Sequence, residues 1–552
     1  MKLDLIIKNA KVITMDDYIQ EADSVAVKDG KFVKVGKYKD IMGLCSKNTK
    51  IIDLEGKMLI PGFNDSHMHL LSYGLSLQKV DLRGLKSIDE IILKIKDYIL
   101  EKDIKPGKWV QGIGWNQDYF DIKAFPTKQD LDKISLDNPI CIVRACYHVA
   151  VVNSKALEVV GVGKNTCRIS GGEFDVDEYG ELKGVFRENA VRLIYDKIEE
   201  PDELELKNII LEASRDANSK GITSIQTDDF EHISSKNYEK IIKAYTNLHD
   251  EGKLVVRVNE QCLLPNVQKL TDFLDKGYIT GWGDEFFKIG PLKLLSDGSL
   301  GARTAALSNP YADDTSSNGI LVYTQEELDE LVTTAHNNGM QIAIHCIGDA
   351  AMYMAFKSFD LSQKQNYKFD SRHSIVHCQI TDDILLDKFK QQEVIAHIQP
   401  IFLNYDLHIV EDRVGRERAK TTYNFKTMVE SGVHIACGSD CPVEKFDVLP
   451  NIYCLVTRKD LSGYPPSGWL PQQKLSIYEA LYGFTMGGAF ASFEEKIKGS
   501  ISVGKYADMV VLSEDIFNIE EDLIKDVEVL MTFVDGNIVY ENDMRRNKYE
   551  RK

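Results

Sequence analysis

Two histidines one residue apart, His67 and His69 in "PGFNDSHMHL", come directly after the apolar run "KMLI". On extended chain the side chains at i and i+2 point to one side, so this pair presents two imidazoles together. Imidazole is a natural zinc ligand. Taken alone, the pair is better read as two polar residues bonded locally beside a turn. Four more donors follow at long intervals: Lys293 in "LKLLSDG", His345 in "MQIAIHCIGD", His377 in "HSIVHCQ" and Asp440 in "GVHIACGSD". Each lies in or at the end of a short apolar run, and six such groups brought to one place would hold one or two divalent ions.

The elements that must position them are eight short apolar runs: "MLIPGF", "GITSIQTDD", "LVVRVNEQ", "LKLLSDG", "MQIAIHCIGD", "HSIVHCQ", "EVIAHIQP" and "GVHIACGSD". Helix-like segments separate most of them. In "YTQEELDELVTTAHNNG" the apolar residues Leu328, Leu331, Val332 and Ala335 follow helical spacing. Buried strands alternating with helices predict a (β/α)8 TIM barrel, an α/β fold whose active site lies at the C-terminal strand ends. About 150 residues separate the first run from the second, far more than a βα connection needs. With its own strands "WVQGIGWN" and "PICIVRACYHVAVVN", the stretch 81–199 is expected to form an inserted subdomain. The two chain ends, 1–60 and 491–545, alternate around Asp29-Gly30 and Asp535-Gly536 turns and are expected to complete one small β-sandwich. The barrel then comprises 61–80 and 200–490.

A chain of 552 residues exceeds one ordinary core. Its net charge of -18 leaves no basic surplus to neutralise phosphates, which argues against nucleic acid and for a small-molecule substrate. No apolar run reaches the roughly 18 residues needed to span a bilayer, and the N-terminus lacks a signal-peptide core. Ten cysteines without a CxxC pair read as reduced thiols, so a cytoplasmic protein away from membranes is expected. "GGEFDVDEYGEL" lacks the calcium-loop pattern and reads as an acidic turn, and the basic "MRRNKYERK" as a solvated terminus.

Chemistry assigns roles within the set. An ammonium repels metal, but a buried lysine has a depressed pKa, and its neutral amine can take up carbon dioxide as a carbamate able to bridge two cations. Lys293 could instead pair with Asp297 or snorkel from the barrel edge. Asp440 is the choice for the base that takes a proton from an activated water and delivers it to a leaving nitrogen. Its alternative role is to cap the next helix. In "GSLGARTAAL", Ser299, Arg303 and Thr304 could hold an anionic or carbonyl group, and His148 and Asn153 in "YHVAVVNSKALE" could close over the mouth. Loop hydrogen bonding accounts for these five equally well. His397 reads as core behind the ligands, while His232, His249, His336, His408 and His434 read as bystanders. Cys346, Cys378, Cys437 and Cys441 read as small core packing.

"PGFNDSHMH", "HCIGDAA", "RHSIVHCQ", "GSDCPVE" and "GSISVGKYADMVVL" together resemble the amidohydrolase superfamily. "LKLLSDGSLGARTAAL" is similar to its N-substituted formamide deformylase-like branch. The resemblance covers nearly the whole chain and is far more specific for fold than for substrate. It implies a metal-dependent barrel with His67, His69, His345, His377 and Asp440 in the ligand positions, and Lys293 where related enzymes carry a carboxylated lysine. It further implies one or two divalent ions, zinc foremost, with Asp440 and His377 at the reacting centre and His148 orienting substrate or oxyanion. Asn64 departs from the commoner Val or Ile, a peripheral change. The implied activity is hydrolysis of a non-peptide amide, N-formyl or N-acyl bond, and a homodimer is compatible with it. Deamination or cyclic-amide opening on the same site is the near alternative. A noncatalytic metabolite-binding regulator is the distant one, since nothing is missing from the ligand set.

Overall fold

Seven of the eight apolar runs supply barrel strands, and the first leads into one, in the computed structural model, which describes residues 2–16, 18, 22–146, 148–163, 166 and 171–542. The strands are β1 (Phe63–Met68), β2 (Ile222–Thr227), β3 (Arg257–Leu263), β4 (Phe287–Leu295), β5 (Ile342–Cys346), β6 (Ser374–His377), β7 (Ile395–Ile398) and β8 (Ile435–Cys437). They lie side by side in chain order, and every laddered neighbour pair is parallel. β2 and β7 are buried at every position, as strands covered on both faces must be. β8 and β1 share no ladder, yet the chain just past β8 joins them. Asp440 N donates to His67 O and His69 N to Cys441 O, each at 2.8 Å. Gly438 permits this approach, because a Cβ there would stand 2.5 Å from His67 N.

The first run divides differently from its appearance in the sequence. Met58–Pro61 pairs antiparallel with Met509–Leu512 in a five-stranded sheet, and only from Phe63 does the chain enter the barrel. His67 therefore lies within β1, and His69 just past its end. The five-stranded sheet faces a four-stranded one built from the N-terminal residues, and Val25, Phe32, Leu59, Met509 and Phe533 share one core. This is the sandwich of both chain ends. Its Asp-Gly turns have left-handed backbone at both residues, φ 50° and 74° at Asp29-Gly30 and 50° and 71° at Asp535-Gly536, the conformation a two-residue hairpin favours. Arg257, at the start of β3, ties barrel to sandwich. Its buried guanidinium donates to Asp508 at 2.7 and 3.2 Å and to Asp535.

Residues Gly74–Ile209 with Ile233–Ser235 form a separate compact unit. Its six-stranded sheet includes Val110–Trp115, Ile140–Arg144 and Val149–Val152, the runs recognised in the sequence. Alternation along one strand fills both faces: Ile140 and Ile142 pack with Val110 and Trp115, while Cys141 and Val143 pack with Leu157 and Phe186. The acidic stretch closes a hairpin between Gly172–Val176 and Leu182–Glu188, where Asp177 accepts from Tyr179 N and Glu181 N. "MRRNKYERK" lies outside the described residues. Among those described, every cysteine is a free thiol and no helix is long and apolar enough to cross a membrane.

Candidate metal centre

β1 delivers His67, the turn after it His69, β4 Lys293, β5 His345, β6 His377, and the segment beyond β8 Asp440. All come from C-terminal strand ends. One oxygen, Asp440 Oδ1, lies 3.4 Å from His67 Nε2 and 3.2 Å from His69 Nε2. Ligand atoms on a tetrahedral ion bonded at about 2.0–2.1 Å stand about 3.3 Å apart, so these spacings fit a shared zinc-sized ion. Donor atoms of His67, His377 and Asp440 lie within 4.8 Å of one another, and the His345 and His377 ring centres are 4.3 Å apart. His377 and Asp440 are held in left-handed backbone, φ 82° and 61°. Such conformations cost about 1–3 kcal/mol each and persist only where surroundings impose them.

For His69 and His345 a backbone carbonyl fixes the tautomer. His69 Nδ1 is 3.0 Å from Asp228 O, and a carbonyl can only accept, so Nδ1 carries hydrogen and Nε2 is the nitrogen turned to Asp440. His345 Nε2 faces Gly298 O at 3.1 Å, which leaves Nδ1 as its lone-pair nitrogen. Burial and the Lys293 charge hold His67 below the usual histidine range and push His345 down to about 3. Burial and neighbouring His345 hold His377 well below that range. These three are neutral near neutral pH, the form that ligates metal. His69 differs. Against burial, its contact with Asp440 raises it to about 9. Burial would raise Asp440 as well, but the histidines gathered around it hold it well below the carboxylate range.

Lys293 is buried, and burial lowers its pKa. Its carboxylate neighbour is Asp228, with Nζ 3.7 Å from Oδ2, rather than the Asp297 that sequence proximity suggested. Asp297 instead accepts from Ala306 N, Ile347 N and Gly348 N at 3.0, 3.0 and 2.7 Å, pinning the loop after β4 to the end of β5. Within that loop Thr304 Oγ1 accepts from Ser299 N, and Arg303 holds Asp313 through two guanidinium bonds of 3.1 and 2.8 Å. Ser299 is exposed.

Asn153 does not fit the substrate role expected of it. Its oxygen accepts from Ile140 N and Ala156 N, and its amide donates to Ser135 O and Asn138 O, all at 2.9 Å. Fully buried, it has no valence left for a ligand. His148, in the same compact unit, is exposed and pairs with Glu188 at 2.8 Å. His397 is buried in β7, as expected of a core residue. His232 is more than a bystander: its Nε2 is 3.3 Å from His69 Nδ1. Two neighbours of the ligands escaped the sequence reading: Asp228, and Gln261, whose Oε1 is 2.7 Å from His67 Nδ1. Asp228 and Gln261 follow or end the second and third apolar runs, so the rule that singled out His345 and His377 applies equally to them.

A family model described as the amidohydrolase family matches residues 50–540. The chain belongs to the amidohydrolase family. It is a hydrolase acting on carbon–nitrogen bonds other than peptide bonds, with a candidate metal site where its barrel strands end. This amidohydrolase is 32% identical to YtcJ of Bacillus subtilis (strain 168) over 533 residues, 96% of this chain and 98% of that one. It is 24% identical to the N-substituted formamide deformylase of Arthrobacter pascens over 554 residues, 98% of each chain. Among solved structures, a metal-dependent hydrolase from Pyrococcus horikoshii OT3 shares 30% identity with a TM-score of 0.74, covering 94% of this chain and 99% of its own.

Proposed function

We propose that this amidohydrolase hydrolyses a small-molecule amide, N-formyl or N-acyl bond at a zinc centre held by His67, His69, His345, His377, Asp440 and Lys293. The observation that carries this reading is the approach of both His67 and His69 Nε2 to the single oxygen Asp440 Oδ1. When bound, the ion supplies Lewis acidity that activates water and polarises the scissile carbonyl. The protein supplies the proton transfers. Asp440, ionised because its contacts keep it far below the carboxylate range, takes a proton from the attacking water and passes it to the leaving nitrogen. The neutral imidazoles of His67, His345 and His377 keep their ligating nitrogens free of protons. Ser299, exposed on the loop after β4, is the hydroxyl assigned to meet substrate. Burial favours the neutral amine of Lys293, which supports its carboxylation. The free thiols support a cytoplasmic setting.

Elemental analysis of purified protein is expected to find zinc; absence of zinc, iron, manganese and nickel would overturn the metal centre. A panel of N-formyl amines, N-acyl amino acids and cyclic ureides is expected to yield an amine with formate or a carboxylic acid. Turnover confined to aminated heterocycles, releasing ammonia, would replace this reading with a deaminase. Carbon-13 bicarbonate is expected to label Lys293 as a carbamate, and an unlabelled lysine would remove that ligand.

A further inference from the structure

Gln261 lies in β3, fully buried, with both ends of its carboxamide engaged. Nε2 is 3.1 Å from Ser66 O, and Oε1 is 2.7 Å from His67 Nδ1. A backbone carbonyl only accepts, so the amide nitrogen faces Ser66 and the amide oxygen faces His67. That oxygen only accepts in turn, so His67 carries its hydrogen on Nδ1. A neutral imidazole has one such hydrogen, and Nε2, 3.4 Å from Asp440 Oδ1, is left with a bare lone pair. The Ser66 carbonyl thus dictates, through one side chain, which nitrogen of the neighbouring residue can bind metal.

We propose that Gln261 is a positioning residue for the metal centre, setting the tautomer and ring orientation of His67 without touching the ion. This rests on the metal-dependent reading above. The equivalent service for His69 comes from the backbone carbonyl of Asp228, which no side-chain substitution removes. Among the described residues the buried His377 Nδ1 has no hydrogen-bond partner, so no carbonyl or carboxamide sets the tautomer of that ring from Nδ1. Groups that orient a metal-binding histidine through its second nitrogen contribute about 10- to 100-fold in metal affinity.

The test is the zinc dissociation constant of the full chain, measured by competition with a chromophoric chelator, beside the melting temperature of the metal-free protein. Gln261→Leu keeps similar volume and removes the acceptor, and is expected to weaken zinc binding by about 10- to 100-fold. Gln261→Glu keeps an acceptor on His67 but turns its other oxygen against Ser66 O. It is expected to bind zinc near wild-type strength while the metal-free protein melts earlier. A merely structural role predicts no such split, and loss of zinc affinity by the Glu variant in step with its stability would overturn the proposal. Zinc binding by Gln261→Leu as tight as wild type would overturn the role of Gln261 alone. Wild-type protein that binds no zinc would overturn the metal centre together with it.

Discussion

Both imidazoles of the His-x-His pair meet one oxygen of Asp440, and the same carboxylate is the base assigned to the reaction. Asp440→Asn removes the charge while keeping the shape. We expect it to lower kcat by at least about 100-fold with little change in melting temperature, measured on whichever amide of the panel is turned over best. Asn153 gives the contrasting case. Its carboxamide caps the helix Ser154–Val160 through Ala156 N and braces Ile140, Ser135 and Asn138. Asn153→Ala is expected to cost about 1–2 kcal/mol of stability in chemical denaturation and to leave KM unchanged. A raised KM with unaltered stability would restore the substrate role. The two residues carry similar polarity, and only their surroundings tell base from brace.

At the scale of elements, the mouth depends on how β8 returns to β1. Two backbone bonds of 2.8 Å span that junction, and they carry Asp440 and His69 into place. Gly438 stands at the tightest point. Gly438→Ala would thrust a methyl group to within 2.5 Å of His67 N and 2.9 Å of His67 O, contacts that backbone can relieve only by moving. We expect a loss of about 1–3 kcal/mol in stability, accompanied by weaker zinc binding because the displaced strand carries the ligand. The zinc titration and a denaturation curve on one sample would check both. The eight strands and their helical connections were legible in the sequence because their periods are local. Whether "KMLI" continued into the barrel was not, since the partner that claims Met58–Pro61 lies some 450 residues downstream at Met509–Leu512.

Across the barrel-bearing unit, buried charges join segments far apart in the chain. Glu494 lies 2.8 Å from Lys288 in β4 and 2.6 Å from Lys498. Burial would raise its pKa, but the two ammonium groups bring it down to about 2. A carboxylate depressed on folding contributes stability above its unfolded value near 4.5. That contribution is lost as pH falls from there through about 2. Glu494→Gln, which strands two ammonium groups, is expected to cost about 3–5 kcal/mol near neutral pH. The melting-temperature gap to wild type should narrow once pH drops below about 4.5, and a gap independent of pH would contradict the ion-pair account.

What the amino-acid order settled by itself is whatever depends on neighbours in the chain. Asp-Gly pairs dictate two-residue hairpin turns with left-handed backbone, and alternation marks strands with two covered faces. The placing of His67, His69, Lys293, His345, His377 and Asp440 at run ends was legible by the same route. Tertiary structure decided what depends on residues distant in sequence. It gave Lys293 to Asp228 rather than Asp297, closed every valence of Asn153, and brought His232 beside His69, 163 positions away. It also set Gln261 against His67 across 194 positions. Periodicity reports which face of an element is buried, but not which side chain waits on the other side.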